Sequence, residues 1–145
     1  MKKKVISCIV LFCMCIALLS GYLVYESYYT IDVTHYTYKS DKIDKPVNIV
    51  MIADVHDKHT KIKDQVIKKI KSLKPDAIMC VGDIIDNESK SDKSTLKFLH
   101  SLVDIAPVYM SYGNHELEYY GKHAFQMDNI KKTGVHVLDE TYEDI

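Results

Sequence analysis

The chain has 145 residues, of which 47% are hydrophobic and 27% are charged, a balance that excludes intrinsic disorder, collagen-like repeats and small disulfide-framework folds. Its formal net charge is −1, and all 19 of its basic residues are lysines. Because no guanidinium group is present to clamp a phosphate, we expect no nucleic-acid partner. Any phosphate recognition would then use metal ions, lysine, histidine or backbone amides.

An apolar segment directly follows the three N-terminal lysines. Residues 5–25 carry no charge, and about 20 helical residues span the roughly 30 Å hydrocarbon core of a bilayer. Region 1–30 is therefore predicted to be cytoplasmic lysines and a transmembrane anchor in contact with lipid. A cleaved signal peptide is the alternative, because Ser20 and Gly21 provide small residues for cleavage, but its apolar part is normally shorter, about 7 to 15 residues. Since the next lysine is Lys39, we expect a single-pass protein of the cell membrane with its N-terminus in the cytoplasm and its domain outside.

Region 31–46 is predicted to be a strand followed by a linker. Residues 31–38 alternate β-forming and polar side chains, which is typical of an edge strand, and residues 39–46 are polar and turn-like. Cys80 is the single cysteine outside the apolar N-terminal segment, and its apolar surroundings predict an unreactive core thiol.

Region 47–145 repeats one pattern: a short apolar run, a polar loop and a segment of helical period. Continuous apolarity over a few residues is typical of strands buried on both faces, and the helical segments show apolar residues on one side. The order βαβαβαβ predicts an α/β fold, a parallel sheet with helices on its faces. The predicted strands are 47–53, 77–81, 108–112 and 135–138, and the predicted helices are 62–73, 95–103 and 122–133, the last one closed by Gly134.

Residues of metal-ligand type follow each of the first three predicted strands. They form the motifs Asp54-x-His56, Gly82-Asp83-x-x-Asp86 and Gly113-Asn114-His115-Glu116. In open α/β sheets the carboxyl ends of the strands share one edge, so we expect these groups to form one cluster. Alone, each motif would fit a helix cap or a turn with a surface histidine, but their joint occurrence at βαβ spacing favours a site. Carboxylate, imidazole and carboxamide ligands suit Mn, Fe or Zn better than Ca.

These three motifs resemble the first three signature motifs of the calcineurin-like metallophosphoesterase superfamily, from about residue 47 to the end. The resemblance implies one half of an αββα sandwich with two divalent metal ions, Mn, Fe or Zn. It implies that Asp54 and His56 bind the first metal, that Asp83 bridges both, and that Asn114 binds the second. It further implies that His115 acts on the phosphate as a proton donor or charge stabiliser, with Asp86 as its orienting carboxylate.

The implied reaction is hydrolysis of a phosphodiester or phosphomonoester by a metal-activated water, and the N-terminal helix resembles that of membrane-anchored bacterial members. Members of the superfamily usually add a further ligand histidine and a Gly-His-x-His motif. After His115 these 145 residues contain only His123 and His136, and no Gly-His-x-His occurs. We therefore expect 47–145 to be the N-terminal part of a truncated domain, inactive alone or completed by a C-terminal half from another chain. The alternative is a catalytically incomplete remnant or a membrane-anchored metal-binding interaction module.

Overall fold

The structure is a computed structural model that describes residues 2–57, 60–123, 128–139 and 141–143. It divides into two compact units, Met1–Tyr36 and Thr37–Ile145.

The first unit is built on one helix, α1 (Lys2–Tyr29). Within the described residues, the stretch Lys3–Tyr29 is long and apolar enough to cross a membrane by length and composition, a test that a signal sequence near the N-terminus also passes. The predicted edge strand at 31–38 is wrong, because these residues form no strand. Alternation alone does not make a strand, which needs a neighbouring chain to pair its N–H and C=O groups. Tyr36 and Tyr38 remain 91% and 92% exposed.

The second unit is a four-stranded parallel sheet with helices, which confirms the predicted α/β class. The strands are β1 (Ile49–Ile52), β2 (Ala77–Val81), β3 (Val108–Ser111) and β4 (His136–Val137), and they lie in the order β1-β2-β3-β4. The helices are α2 (Thr60–Leu73), α3 (Lys93–Val103), α4 (Asn114–Lys122) and α5 (Asn129–Lys132).

The described helices of this unit pack on one face of the sheet, which is the arrangement of half an αββα sandwich; the helical period alone leaves both faces open to helices. Strand neighbours that follow chain order allow every right-handed crossover to lie on the same side. Alternate strand residues such as Ile78, Cys80 and Met110 enter the core with residues from all four helices. On the opposite face Met51 is 66% exposed and Val81 46% exposed, as expected of half a sandwich.

The third predicted helix, 122–133, is wrong in its bounds. A helix already begins at Asn114, directly after β3, and a separate short helix covers Asn129–Lys132, while residues 124–127 lie outside the described part of the chain. The early start follows from Glu116, whose carboxylate accepts the N–H of Gly113 at 2.8 Å and caps the first turn. Gly134, with a φ of 92°, follows the end of α5 as predicted.

Candidate metal centre

Three loops leave the carboxyl ends of β1, β2 and β3 and meet at one edge of the sheet. We call them loop 1 (residues 53–57), loop 2 (residues 82–87) and loop 3 (residues 112–116, which include the first residues of α4). The parallel pairing of the strands brings the loops together, because each strand ends at the same edge. All six predicted site residues lie in these loops.

Loops 1 and 2 contain an unusual concentration of left-handed backbone. Asp54, His56 and Asp57 have φ values of 53°, 46° and 49°, and Asp83 has a φ of 55°. A non-glycine residue in this region costs about 1–2 kcal/mol. Such conformations persist where the surrounding structure over-determines them, and they concentrate at functional sites. Three of the four residues, Asp54, His56 and Asp83, carry side chains that converge on one cluster.

Two glycines let loops 2 and 3 approach each other backbone to backbone. A Cβ atom on Gly113 would lie 2.2 Å from Oδ1 of Asp83, and one on Gly82 would lie 2.8 Å from the Cα of Gly113. Gly82 also has a φ of 77°, which favours glycine. No larger residue fits at either position without moving Asp83 or its loop.

The ligand-type side chains of loops 1 and 2 converge. The carboxylates of Asp54 and Asp83 and one ring nitrogen of His56 all lie within 4.8 Å of one another. Nε2 of His56 lies 3.5 Å from Oδ1 of Asp54. The Asp54 side chain is 72% exposed and His56 is 29% exposed, so the cluster is reachable from solvent. This is the set that the resemblance assigns to the first metal and to the bridging position.

A second group overlaps with the first through His56. One ligand atom from each of His56, Asp86 and His115 also lies within 4.8 Å of the others, and the two imidazole rings meet edge to face with centroids 4.3 Å apart. Nδ1 of His56 is buried and has no hydrogen-bond partner among the described residues. A buried polar atom without a partner is costly in a purely structural residue, and mixed carboxylate and imidazole donors suit Mn, Fe or Zn. The residues present therefore fit a divalent metal ion.

His115 is held by hydrogen bonds at both its backbone and its ring. Its backbone N–H donates to Oδ1 of Asp83 at 3.0 Å, and its Nδ1 accepts the N–H of Asn87 at 3.2 Å. In the neutral ring the proton is then on Nε2, a tautomer inferred from these partners. Asp86 uses Oδ1 to accept the N–H of Glu88 at 2.9 Å. Asn114 is exposed and is the first residue of α4.

Two carboxylates at this edge, one buried and one partly buried, were not predicted from the sequence. Glu116 is 1% exposed, although its motif assigns it no role. Asp57 follows His56 directly and accepts hydrogen bonds from Lys63, from Ser89 at 3.0 Å and from Thr95 at 3.3 Å. Burial raises the pKa of Asp57, but the hydrogen bond and charge of Lys63, together with hydrogen bonds from Ser89 and Ser94, outweigh it, so the pKa lies below its usual value. No local pattern signals either role, because both depend on how separate loops approach each other.

Comparison with known proteins identifies the family to which the chain belongs. A model of the family described as calcineurin-like phosphoesterase matches residues 47–143, a range that contains all three motifs and confirms the resemblance. An uncharacterized metallophosphoesterase of Campylobacter jejuni is 32% identical over 75 residues, which cover 50% of this chain and 20% of the relative. The matched part of the chain thus spans about a fifth of that relative's length. No solved structure matches the chain.

Proposed function

Because the chain belongs to the calcineurin-like phosphoesterase family, we propose that it acts in metal-dependent hydrolysis of a phosphodiester or phosphomonoester at a site for two divalent ions, Mn, Fe or Zn. The observation that carries this proposal is the convergence of Asp54, His56 and Asp83, whose ligand atoms lie within 4.8 Å of one another at the carboxyl edge of the sheet. When bound, two divalent ions supply charge neutralisation on the phosphate and an activated water for attack on phosphorus.

The chain's own residues divide into ligands and a proton carrier. Asp54 and His56 would hold the first ion, Asp83 would contact both ions, and Asn114 would offer its amide oxygen to the second. The hydrogen bond from the His115 backbone to Oδ1 of Asp83, 3.0 Å long, supports the bridging role because it fixes how that carboxylate is turned. Removing the charge of Asp83 should therefore reduce metal occupancy itself.

His115 is proposed to act on the substrate. With Nδ1 accepting the Asn87 N–H, the neutral ring carries its proton on Nε2, where it can be given to the departing oxygen or stabilise charge on the phosphate. Asp86 would orient this ring from loop 2. A general acid matters most for a poor leaving group, so loss of His115 should slow alkyl esters more than nitrophenyl esters.

A second candidate function is a metal-binding interaction module anchored at the membrane. The observation that favours it is the group formed by His56, Asp86 and His115, which could take His115 as a metal ligand and leave no acid for the leaving group. The two candidates separate on the fate of bound metal when His115 is replaced.

The test uses the 145-residue chain in detergent micelles, reconstituted with a C-terminal half that completes the domain and loaded with Mn²⁺. Bound metal is measured by elemental analysis, and hydrolysis is followed on nitrophenyl and alkyl phosphoesters. We expect Asp83→Asn to lose metal and all metal-dependent hydrolysis. His115→Gln should keep its metal while the chemical step slows by about 10²- to 10⁴-fold on alkyl esters. Asp104→Asn and His100→Gln, both exposed positions away from the three loops, are the matched controls.

Hydrolysis that survives a chelator, or that survives Asp83→Asn, would contradict the proposed reaction. Metal binding without hydrolysis, with metal lost in His115→Gln, would favour the interaction module. Equal losses on both esters would exclude leaving-group protonation and leave His115 as a charge stabiliser.

The proposed location is the cell membrane, with α1 as a single-pass anchor, the N-terminus in the cytoplasm and the α/β unit outside. The length and apolarity of Lys3–Tyr29 support a span, and the flanking lysines support the orientation. A reporter that is active only outside the cytoplasm, fused after Lys39, should be active. A new N-terminus at Gly21 or Tyr22 would instead indicate a cleaved signal.

A further inference from the structure

Glu116 occupies an unusual position between loops 2 and 3. It is the third residue of α4 and is 1% exposed. Its Oε1 accepts the N–H groups of Ile84 at 2.7 Å and Ile85 at 3.0 Å, and its Oε2 accepts those of Asp83 at 2.7 Å and Gly113 at 2.8 Å. A carboxylate is an acceptor on both oxygens, so it matches four donors, whereas an amide could not. Charge-assisted bonds of this kind offset the cost of burying the group.

The same peptide groups of loop 2 also hold loop 1. The carbonyls of residues 82, 83 and 84 accept the N–H groups of Asp54 at 3.3 Å, His56 at 3.0 Å and Asp57 at 3.0 Å. Each carbonyl shares a peptide group with the N–H of the next residue, and those three N–H groups, of Asp83, Ile84 and Ile85, all donate to Glu116. Three consecutive peptide groups are therefore bonded to Glu116 on one side and to loop 1 on the other.

We propose that Glu116 is the positioning residue of the metal centre, which sets the geometry of all three ligand-carrying loops although it touches no ligand side chain of loop 1. It holds loop 2 and Gly113 directly, and it holds loop 1 through the shared peptide groups. Hydrogen bonds in such chains polarise and strengthen one another. The left-handed backbone at Asp54, His56 and Asp83 depends on this bonding, because those residues would otherwise relax to less costly conformations.

A helix cap that only stabilises the fold would act differently. Its loss would lower the stability of the whole unit and speed the exchange of all backbone amides together. If Glu116 positions the loops, its replacement should have a selective effect. The amides of Asp54, His56 and Asp57 should then exchange faster, while the strand amides keep their rates. None of those three amides is bonded to Glu116, and this selective effect at a distance distinguishes the two roles.

The experiment is native-state hydrogen exchange on the metal-free full chain in micelles, comparing wild type with Glu116→Gln. The glutamine keeps the shape but places an NH₂ group against two N–H donors. We expect the loop 1 amides to exchange about 10- to 100-fold faster relative to the Ile78 amide of β2, the effect of one lost charge-assisted hydrogen bond. Asp104→Asn, the same carboxylate-to-amide change at an exposed position after α3, is the matched control and should leave this ratio unchanged.

The second readout is the Kd for Mn²⁺, which should rise about 10- to 100-fold in Glu116→Gln, as is typical when a residue that orients metal ligands is lost. If Glu116→Gln does not fold, Glu116→Asp is used, since it keeps the charge but is one methylene too short to reach all four donors, and it should show the same selective exchange. Loop 1 amides that keep their rate relative to Ile78 in the folded variant would overturn the proposal.

This inference rests on the proposed function only in taking the positioned side chains to be metal ligands. The two proposals can therefore fail separately. A wild-type chain that binds no Mn²⁺ would overturn the metal centre, while the exchange ratio would still decide whether Glu116 holds loop 1. Normal Mn²⁺ binding with an unchanged exchange ratio would overturn the role of Glu116 alone.

Discussion

The covered face of the sheet and its carboxyl edge are held by different kinds of contact. On the covered face, Ile78, Leu99 and Met110 are completely buried in one apolar cluster. At the edge, Asp54 and His56 lie in partly exposed loops with costly backbone angles. Their N–H groups donate to carbonyls of loop 2, whose own N–H groups donate to the buried carboxylate of Glu116. The core therefore depends on side-chain volume, whereas the edge depends on backbone hydrogen bonds and on glycines that permit close approach. Substitutions in the two regions should therefore affect different measured properties of the protein.

The largest effect should follow from a methyl group added at the edge. Gly113→Ala would place a Cβ 2.2 Å from Oδ1 of Asp83, so loop 2 or loop 3 must move. We expect the Kd for Mn²⁺ to rise by at least about 100-fold, because a displaced Asp83 would no longer reach the metal positions proposed for it. Titration of Mn²⁺ into the full chain measures it.

Gly121→Ala is the control for this substitution, since it lies in the same helix and a Cβ there meets nothing within 4 Å. It should leave Mn²⁺ binding unchanged and raise stability by up to about 1 kcal/mol, because alanine favours a helix interior. Equal Mn²⁺ affinity in the two alanine variants would show that the close approach of loops 2 and 3 does not shape the site.

The smallest effect is expected at Cys80, which belongs to the core although it lies two residues before Gly82. Burial, with the Glu116 charge adding to it, raises the pKa of this thiol to about 12. At pH 8 the group stays protonated, so alkylation should occur only through unfolding. Mass spectrometry of the peptide that contains Cys80 should show no modification in folded protein and rapid modification in denaturant.

Stripping the metal with a chelator should not change this result if the core is independent of the edge. Rapid alkylation of folded, metal-free protein at pH 8 would mean that the metal centre and the core form one cooperative structure.

The difference between these regions also explains which features could be predicted. The apolar runs at 77–81 and 108–112 correspond closely to β2 and β3, because both faces of these two strands carry apolar residues and so leave a continuous signature in the sequence. The convergence of Asp54, His56 and Asp83 follows from parallel strands ending at one edge. The isolated alternation at 31–38 gave a wrong strand, since pairing depends on a partner that the local pattern does not contain.

Other features of the edge could not be predicted because they arise from the approach of distant segments. The start of α4 at Asn114, the burial of Glu116 and the hydrogen bond from Asn87 to His115 all require loops 2 and 3 to be in contact. The location of the helices on one face likewise follows from the strand order, which hydrophobic periodicity does not reveal.

The central claim, that the three loops form a metal centre, is tested most directly by electron spin-echo spectroscopy of the Mn²⁺-loaded full chain. This method detects a nitrogen nucleus bonded to the metal. We expect a histidine nitrogen coupling in wild type that disappears in His56→Gln and persists when His100, an exposed histidine of α3, is replaced by glutamine. Bound Mn²⁺ without a nitrogen coupling, or a coupling of full amplitude in His56→Gln, would contradict it.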